Sequence, residues 1–254
     1  MTWNGVRKQH TVGVKHARYT TLLLDLDHTL LDSDASEVLA FEHALGTNGV
    51  SDPSRYLPAY IQINRALWLA VERDEVTPDF VRTARFERLV ATTGLHVDPL
   101  ALAGAFVIGL GQNGELYPGV IAVLDALGGR IQMALVTNGL GDVQRARVAR
   151  LGLAGYFDAV IISSEVGVSK PSTAIFDIAF DQLGAPARSS ALMVGDSLTS
   201  DIRGGTNYGI ATCWYNPHGH AAADTDRIDH EIDTIGGLID VVIGTMDPPP
   251  LRSA

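Results

Sequence analysis

The stretch LLLDLDHTLLDSD, residues 22–34, sets four aspartates within ten residues directly behind an apolar run. Carboxylates so close repel one another unless something positive lies between them. Asp25 and Asp27 are the anchored pair, because they follow the apolar TLLL and a spacing of two on extended backbone aims both side chains to one side. Three later segments offer what that pair lacks. RIQMALVTNG ends in Thr137 and Asn138, a hydroxyl and an amide beside backbone N–H groups suited to an oxyanion. VGVSKP places Lys170 before Pro171, a cation at a stiff turn, and LMVGDSLTSD ends in Asp196, with Asp201 five residues later. Such a set suits metal-assisted phosphoryl transfer to a carboxylate. Mg²⁺ takes oxygen ligands and keeps several waters, so a few aspartates and a phosphate suffice to hold it. Both kinds of cation are needed: a carboxylate about 4 Å from a phosphate charge is opposed by about 1 kcal/mol in water, and by about 4 at an effective dielectric near 20.

These residues can meet only if the strands that carry them run side by side. From Tyr19 onward, short apolar runs (TLLLD, RIQMALVT, DAVIISS, SALMVGD, GIATCWY) alternate with segments of helical spacing such as VQRARVARLGL and TAIFDIAFDQLG. That alternation predicts a doubly wound α/β fold, a parallel sheet covered on both faces, with ligands beyond the carboxyl ends of its strands. One region interrupts the pattern. Residues 33–114 hold no convincing strand but several amphipathic helices, including RYLPAYIQINRALWLAVERDE and TPDFVRTARFERLVATTGL. They are expected to form an inserted helical cap that can act as a lid over the strand ends. The division expected is therefore an N-terminal extension (1–19), an α/β core (20–32 and 115–244), the cap (33–114) and a tail (245–254). Asp32 and Asp34 lie past the first turn, where DSDASE reads as a helix start and acidic residues suit the positive helix end.

Composition bounds the alternatives. With 254 residues, 46% of them hydrophobic, the chain can bury one large core with a smaller domain appended. No apolar run approaches the roughly 20 residues that span a bilayer, and the first residues lack the apolar middle of a secretory signal, so a cytoplasmic location is expected. A net charge of -10 argues against nucleic-acid polymers and anionic membranes as partners, while leaving room for a small anionic substrate. The single cysteine, Cys213, reads as a buried structural thiol. Other patterns have bland explanations. GLGQNG has dinucleotide-binding glycine spacing but follows a helical segment and leads into LYPG, so it reads as a hinge. His218 and His220 sit in a loop without further ligands, and DTDRID near Asp224 to Asp229 reads as a solvated turn.

Taken together, DLDHT, VTN, SKP and GDSLTSD resemble, in order, the four motifs of the haloacid dehalogenase-like hydrolase superfamily, and the insertion after the first resembles its helical-cap subclass. The resemblance implies that Asp25 is a nucleophile forming an aspartyl-phosphate and that Asp27 protonates the leaving oxygen and then activates water. It also implies that Thr137 and Lys170 hold the phosphoryl group with help from Asn138. Asp25, the Asp27 carbonyl and Asp196 would bind Mg²⁺, with Asp201 supporting the metal or the lysine. Dehalogenases of the family lack an aspartate at position 27, so Asp27 favours a phosphatase.

A narrower resemblance covers INRALWLAVERDEVTPDFVRTARFERLV, VTNGLGDVQRARVARLGLAGYFDAVIISSEVGVSKP and ATCWYNPHG, which are similar to the bacterial pyrimidine and noncanonical 5′-nucleotidases. It implies nucleoside monophosphates as substrates. In the cap, Trp68 could stack on a base and Asn64, Arg65, Arg82 or Arg85 reach its edge or the sugar; the packing alternative is that Trp68 lies within the cap and the arginines form ion pairs. Other small phosphate esters (a phosphoglycolate or sugar phosphate), a phosphomutase, a 2-haloacid dehalogenase and a phospho-accepting signalling domain are the alternatives on the same parts.

Overall fold

The computed structural model describes residues 17–223 and 227–244. Six strands make one all-parallel sheet: β1 (Thr21–Leu24), β2 (Gln132–Thr137), β3 (Ala159–Ile162), β4 (Ala191–Gly195), β5 (Ala211–Tyr215) and β6 (His230–Ile232), in the spatial order β3-β2-β1-β4-β5-β6. Alternation along β1 sorts its side chains to the two faces. Leu22 and Leu24 pack in one buried cluster with Val123, Leu127 and Leu135, while Leu23 enters the opposite cluster with Val136, Phe176 and Met193. Each face is covered by helices, which explains why these strands read as continuous apolar runs. Register then aligns the strand ends. Leu24 pairs with Leu135 on one side and Val194 on the other, so Asp25, Thr137 and Asp196 all sit at one edge. The strand order reverses at β1, which opens a crevice there.

Between β1 and β2 the chain forms four long helices, α1 (Ser33–Thr47), α2 (Leu57–Glu72), α3 (Pro78–Thr93) and α4 (Pro99–Gln112), before α5 (Val120–Leu127) returns to the sheet. The helical segment leaves and rejoins through adjacent connections: Asp32 N–H donates to the Glu115 carbonyl at 2.9 Å, and Tyr117 N–H to that of Leu30 at 2.9 Å. Asp32 caps α1 by accepting from the Ala35 N–H, as DSDASE suggested, and Asp34 stands exposed in its first turn. Phe41, Tyr60, Phe86 and Phe106 give these helices a buried aromatic core of their own.

The glycine spacing of GLGQNG has a packing reason. Gly109 and Gly111 lie inside α4, and a Cβ built at Gly109 would stand 2.8 Å from the Ala40 Cα of α1. Replacing Gly109 with alanine must therefore push two helices apart. It is expected to cost about 1 to 3 kcal/mol, the usual range for overpacking, measurable as a lowered denaturation midpoint.

The remaining α-helices among the described residues are α6 (Gly141–Arg150), α7 (Ser163–Val166), α8 (Thr173–Gln182), α9 (Arg203–Tyr208) and α10 (Leu238–Ile243). Cys213 is buried in β5, where burial pushes its thiol up to about 12, as an inert structural residue requires. His218 and His220 are exposed, and no His, Cys, Asp or Glu group among the described residues completes a metal set with them. Of DTDRID, residues 224–226 lie outside the described residues, as do 1–16 and 245–254 of the expected extension and tail. Asp229 lies exposed in a bend, as a solvated turn requires, and its carboxylate also accepts from the Thr212 N–H of β5 at 3.0 Å.

Candidate active site

The strand ends bring together a buried ion cluster. Lys170, 1% exposed, extends its ammonium between two carboxylates, 2.5 Å from Asp25 Oδ1 and 2.7 Å from Asp201 Oδ1, and donates to the Val136 carbonyl at 2.7 Å. Burial would lower the Lys170 ammonium, but Asp201 and Asp25 outweigh it and hold the group above its ordinary range. Asp201 reaches this position because Gly195 has no side chain: a Cβ there would lie 2.1 Å from Asp201 Oδ2. Its other contact is with the Ser197 N–H at 3.1 Å.

Asp196 completes the cluster from the end of β4. Its backbone N–H donates to the Thr29 hydroxyl at 3.0 Å, and that hydroxyl lies 3.4 Å from Asp25 Oδ2 and 3.3 Å from Asp196 Oδ1. Carboxylate oxygens of Asp25, Asp196 and Asp201 all fall within 4.8 Å of one another. Three carboxyl groups face one ammonium, so with all three ionised two negative charges would stand uncompensated in a buried space. Burial pushes the Asp25 carboxyl well above the usual range, against Lys170 and with help from Asp201 and Asp196. Burial and then the Asp201 charge push Asp196 up to about 8. An all-oxygen donor set with this excess of charge fits a hard divalent cation.

Asp27 lies apart from this carboxylate cluster. Its side chain turns towards α6, accepting from Arg147 Nη1 at 2.7 Å, Gln144 Nε2 at 2.5 Å and the Ser33 hydroxyl at 2.5 Å. Burial raises this carboxyl, but Arg147 and the hydrogen bonds of Ser33 and Gln144 outweigh it and hold it below the ordinary range. Thr137 is fully buried behind the cavity wall, its hydroxyl accepting from Gln144 Nε2 at 2.9 Å. Asn138 is clasped to the lysine loop: its Nδ2 donates to the Lys170 carbonyl and its Oδ1 accepts the Lys170 N–H, both at 2.9 Å. Its side chain therefore fixes the backbone of Lys170 rather than standing free for an anion, because one amide matches both groups of a facing peptide.

Above this cluster a cavity of about 610 Å³ reaches into the helical segment. Trp68, Arg65, Asn64 and Glu72 of α2 line it, together with Arg85 of α3 and Glu37 of α1. Trp68 is half-buried against Leu67, Val71 and Val81, so it packs in the segment and faces the cavity at once. Arg85, 1% exposed, donates to the Val81 carbonyl at 3.1 Å and the Tyr60 hydroxyl at 3.3 Å, and stacks 5.0 Å above Phe106. Arg82 points elsewhere, in a two-bond pair with Asp142 at 2.8 and 2.9 Å.

Residues 19–209 match the haloacid dehalogenase-like hydrolase family. The chain is a haloacid dehalogenase-like hydrolase. Among its relatives is the pyrimidine 5′-nucleotidase PynA of Streptococcus pneumoniae, 39% identical over 201 residues that make up 79% of this chain and 85% of PynA. The pyrimidine 5′-nucleotidase YjjG of Escherichia coli is 36% identical over 79% of this chain and 88% of its own. The crystal structure of the HAD-hydrolase YfnB of Bacillus subtilis, bound to magnesium, superposes with a TM-score of 0.82 at 30% identity, covering 90% of this chain and all of that one.

Several residues that shape the site of this hydrolase escape sequence reasoning. Gln144 and Arg147 sit one helical turn apart on α6 and are both buried, while Arg145 pairs at the surface with Glu165 at 2.6 Å. Helical spacing alone does not say which arginine of VQRARVAR faces inward. Glu37 is another: it accepts from Asn64 Nδ2 at 2.6 Å, and burial, against the nearby Arg85 charge, raises its carboxyl. Glu72 accepts from the Thr199 hydroxyl at 2.7 Å, which joins the end of α2 to the short π-helical turn Leu198–Ile202 after Asp196.

Proposed function

We propose that this hydrolase is a Mg²⁺-dependent phosphomonoesterase that works through a phosphorylated Asp25 and acts on nucleoside 5′-monophosphates. The observation that carries the chemistry is the placing of Asp25 at the base of the cavity, with Lys170 on one oxygen and Asp196 and Asp201 within metal-ligand reach. Asp25, Asp196 and Asp201 would hold the cation, Asp201 doing so alongside its contact with Lys170. Bound Mg²⁺ supplies positive charge that offsets the repulsion between the phosphate and these carboxylates. The remaining chemistry belongs to side chains. An Asp25 oxygen bonds to phosphorus as the ester P–O bond breaks, and Lys170 steadies the charge. The leaving oxygen takes its proton from Asp27. Water then attacks the phosphorus of the aspartyl-phosphate and gives a proton to Asp27, phosphate departs, and Asp25 is restored. As an ionised carboxylate beside Arg147, Asp27 suits the second of its roles directly; the first calls for a looser contact with that arginine.

The substrate class rests on the helical segment. Matches of 201 residues to two pyrimidine 5′-nucleotidases are too long to bypass residues 33–112. A cavity of about 610 Å³ lies within the usual range for small ligands, and Trp68 offers a face for a base. Phosphate release with Mg²⁺ should be measured from uridine, thymidine and cytidine 5′-monophosphates beside phosphoglycolate and ribose 5-phosphate. The nucleotides are expected to show the highest kcat/KM, and a preference for either small ester would sink the nucleotidase reading. Trp68→Ala should raise KM for the nucleotides about 10-fold, within the range of lost base stacking, and leave the base-free esters unchanged.

The cation has its own test. The folded chain holds Asp196 up to about 8, above its ordinary 3.8. Between those values the folded state keeps a proton that the unfolded state has lost, so stability without the cation falls as pH rises. Mg²⁺ replaces that proton, and the gain in Tm on adding it to chelator-treated protein should grow from pH 5 to pH 8. An unchanged Tm at pH 8 would count against the metal site.

A further inference from the structure

The Asp27 carboxylate is gripped from three sides, and one of those grips extends far beyond it. Arg147, 3% exposed, donates from Nη1 to Asp27, from Nε to the Leu110 carbonyl at 3.1 Å and from Nη2 to the Ser36 hydroxyl at 2.9 Å. Ser36 lies in α1, the first helix of the segment above the cavity, and Leu110 in α4, the last. Ser36 itself donates to the Asn113 carbonyl at 3.1 Å, just past the end of α4. One guanidinium thus joins an acid-base carboxylate to both ends of the segment that roofs the site. Its N–H groups are fixed in one plane, so the three contacts cannot move independently. A shift of either helix must drag the guanidinium or break a bond to it.

We propose that Arg147 is a positioning residue for phosphoryl transfer, one that sets the orientation of the Asp27 carboxyl according to how α1 and α4 are seated. The inference rests on the acid-base role proposed for Asp27. Arg147 acts through that carboxylate: among the described residues it forms no ion pair with Asp25, Asp196 or Asp201. A misaligned Asp27 harms a reaction only where the leaving oxygen needs a proton. An alkyl phosphate has such an oxygen, whereas the p-nitrophenolate of an aryl ester departs without one.

The test compares kcat/KM for p-nitrophenyl phosphate and for an alkyl phosphate that the enzyme hydrolyses, in the full-length protein with Mg²⁺. This ratio ends at leaving-group departure, so hydrolysis of phosphorylated Asp25 does not enter it. Arg147→Met should lower the alkyl value by about 10- to 100-fold, part of the range for acid-base help, and the aryl value by less than about threefold. Arg147→Lys should recover part of the loss. Ser36→Ala touches Arg147 but not Asp27, and should show the same selectivity at about two- to fivefold, the scale of one hydrogen bond. Equal losses on both esters would mean a merely structural or phosphate-binding arginine and would overturn the proposal, and a Ser36→Ala variant without selectivity would overturn the link to the helices. If Arg147→Met does not fold, the lysine and Ser36 variants decide by the same ratio. Asp27→Asn separates the two readings. A non-selective loss there removes the acid-base role and the proposal with it; a selective loss there, with none in Arg147→Met, defeats the positioning role alone.

Discussion

Asp25→Asn is expected to abolish turnover, lowering kcat by at least about 10⁴-fold, the scale on which loss of a covalent nucleophile acts. The fold should survive. Asp25, Asp196 and Asp201 crowd together around one ammonium, and replacing Asp25 by a neutral amide removes its repulsion with the other two carboxylates. Lys170 keeps Asp201 at 2.7 Å and the Val136 carbonyl at 2.7 Å, so no buried cation is orphaned. A Tm equal to or above that of the parent, together with loss of phosphate release and of acid-stable phosphoryl incorporation, is the expected result. A variant that still turns over would remove Asp25 from the role of nucleophile.

Lys170→Met should have the larger effect on stability. The side chain is similar in volume, but Asp25, Asp201 and the Val136 carbonyl all lose their shared donor. Breaking a buried ion pair by removing one partner costs about 3 to 5 kcal/mol, because the charge left behind has neither water nor counterion. Denaturant unfolding would show that loss as a lowered midpoint with an unchanged slope. The deficit should also depend on pH. Asp25 and Asp196 are carboxyls held above their ordinary range by burial, so their folded-state contribution is best at low pH and is lost as pH rises. Without the ammonium their ionisation is costlier still, and the deficit should be larger at pH 8 than at pH 5. A variant as stable as its parent at pH 8 would mean that the cluster is less dry than its burial indicates.

Five of the six strands were legible as apolar runs, because a strand covered on both faces must be apolar at successive positions. β6 was not: His230–Ile232 is three residues long, two of them polar, and exists as a strand only through its pairing with β5. The start of α1 was legible because an Asp side chain capping a helix is a local event, complete within three residues. The buried ion cluster was legible for a related reason. Asp25, Lys170, Asp196 and Asp201 each sit at or near a turn after an apolar run, and a parallel sheet gathers such positions at one edge.

What the chain order could not reveal is which way the polar groups at that edge would turn. Asn138 looks like an anion ligand until the lysine loop, 32 residues away, is seen to take up both ends of its amide. Thr137 ends its strand as expected but lies behind Gln144. Asp27 shares a side with Asp25 by backbone geometry, yet Arg147 and Ser33 decide where its carboxylate lies. Sequence by itself determined which residues gather at the sheet edge, since these depend on residue type and on strand ends that local pattern marks. Tertiary structure alone decided their partners, since a hydrogen bond or ion pair across 120 residues depends on helices packing against a cavity that no local pattern describes.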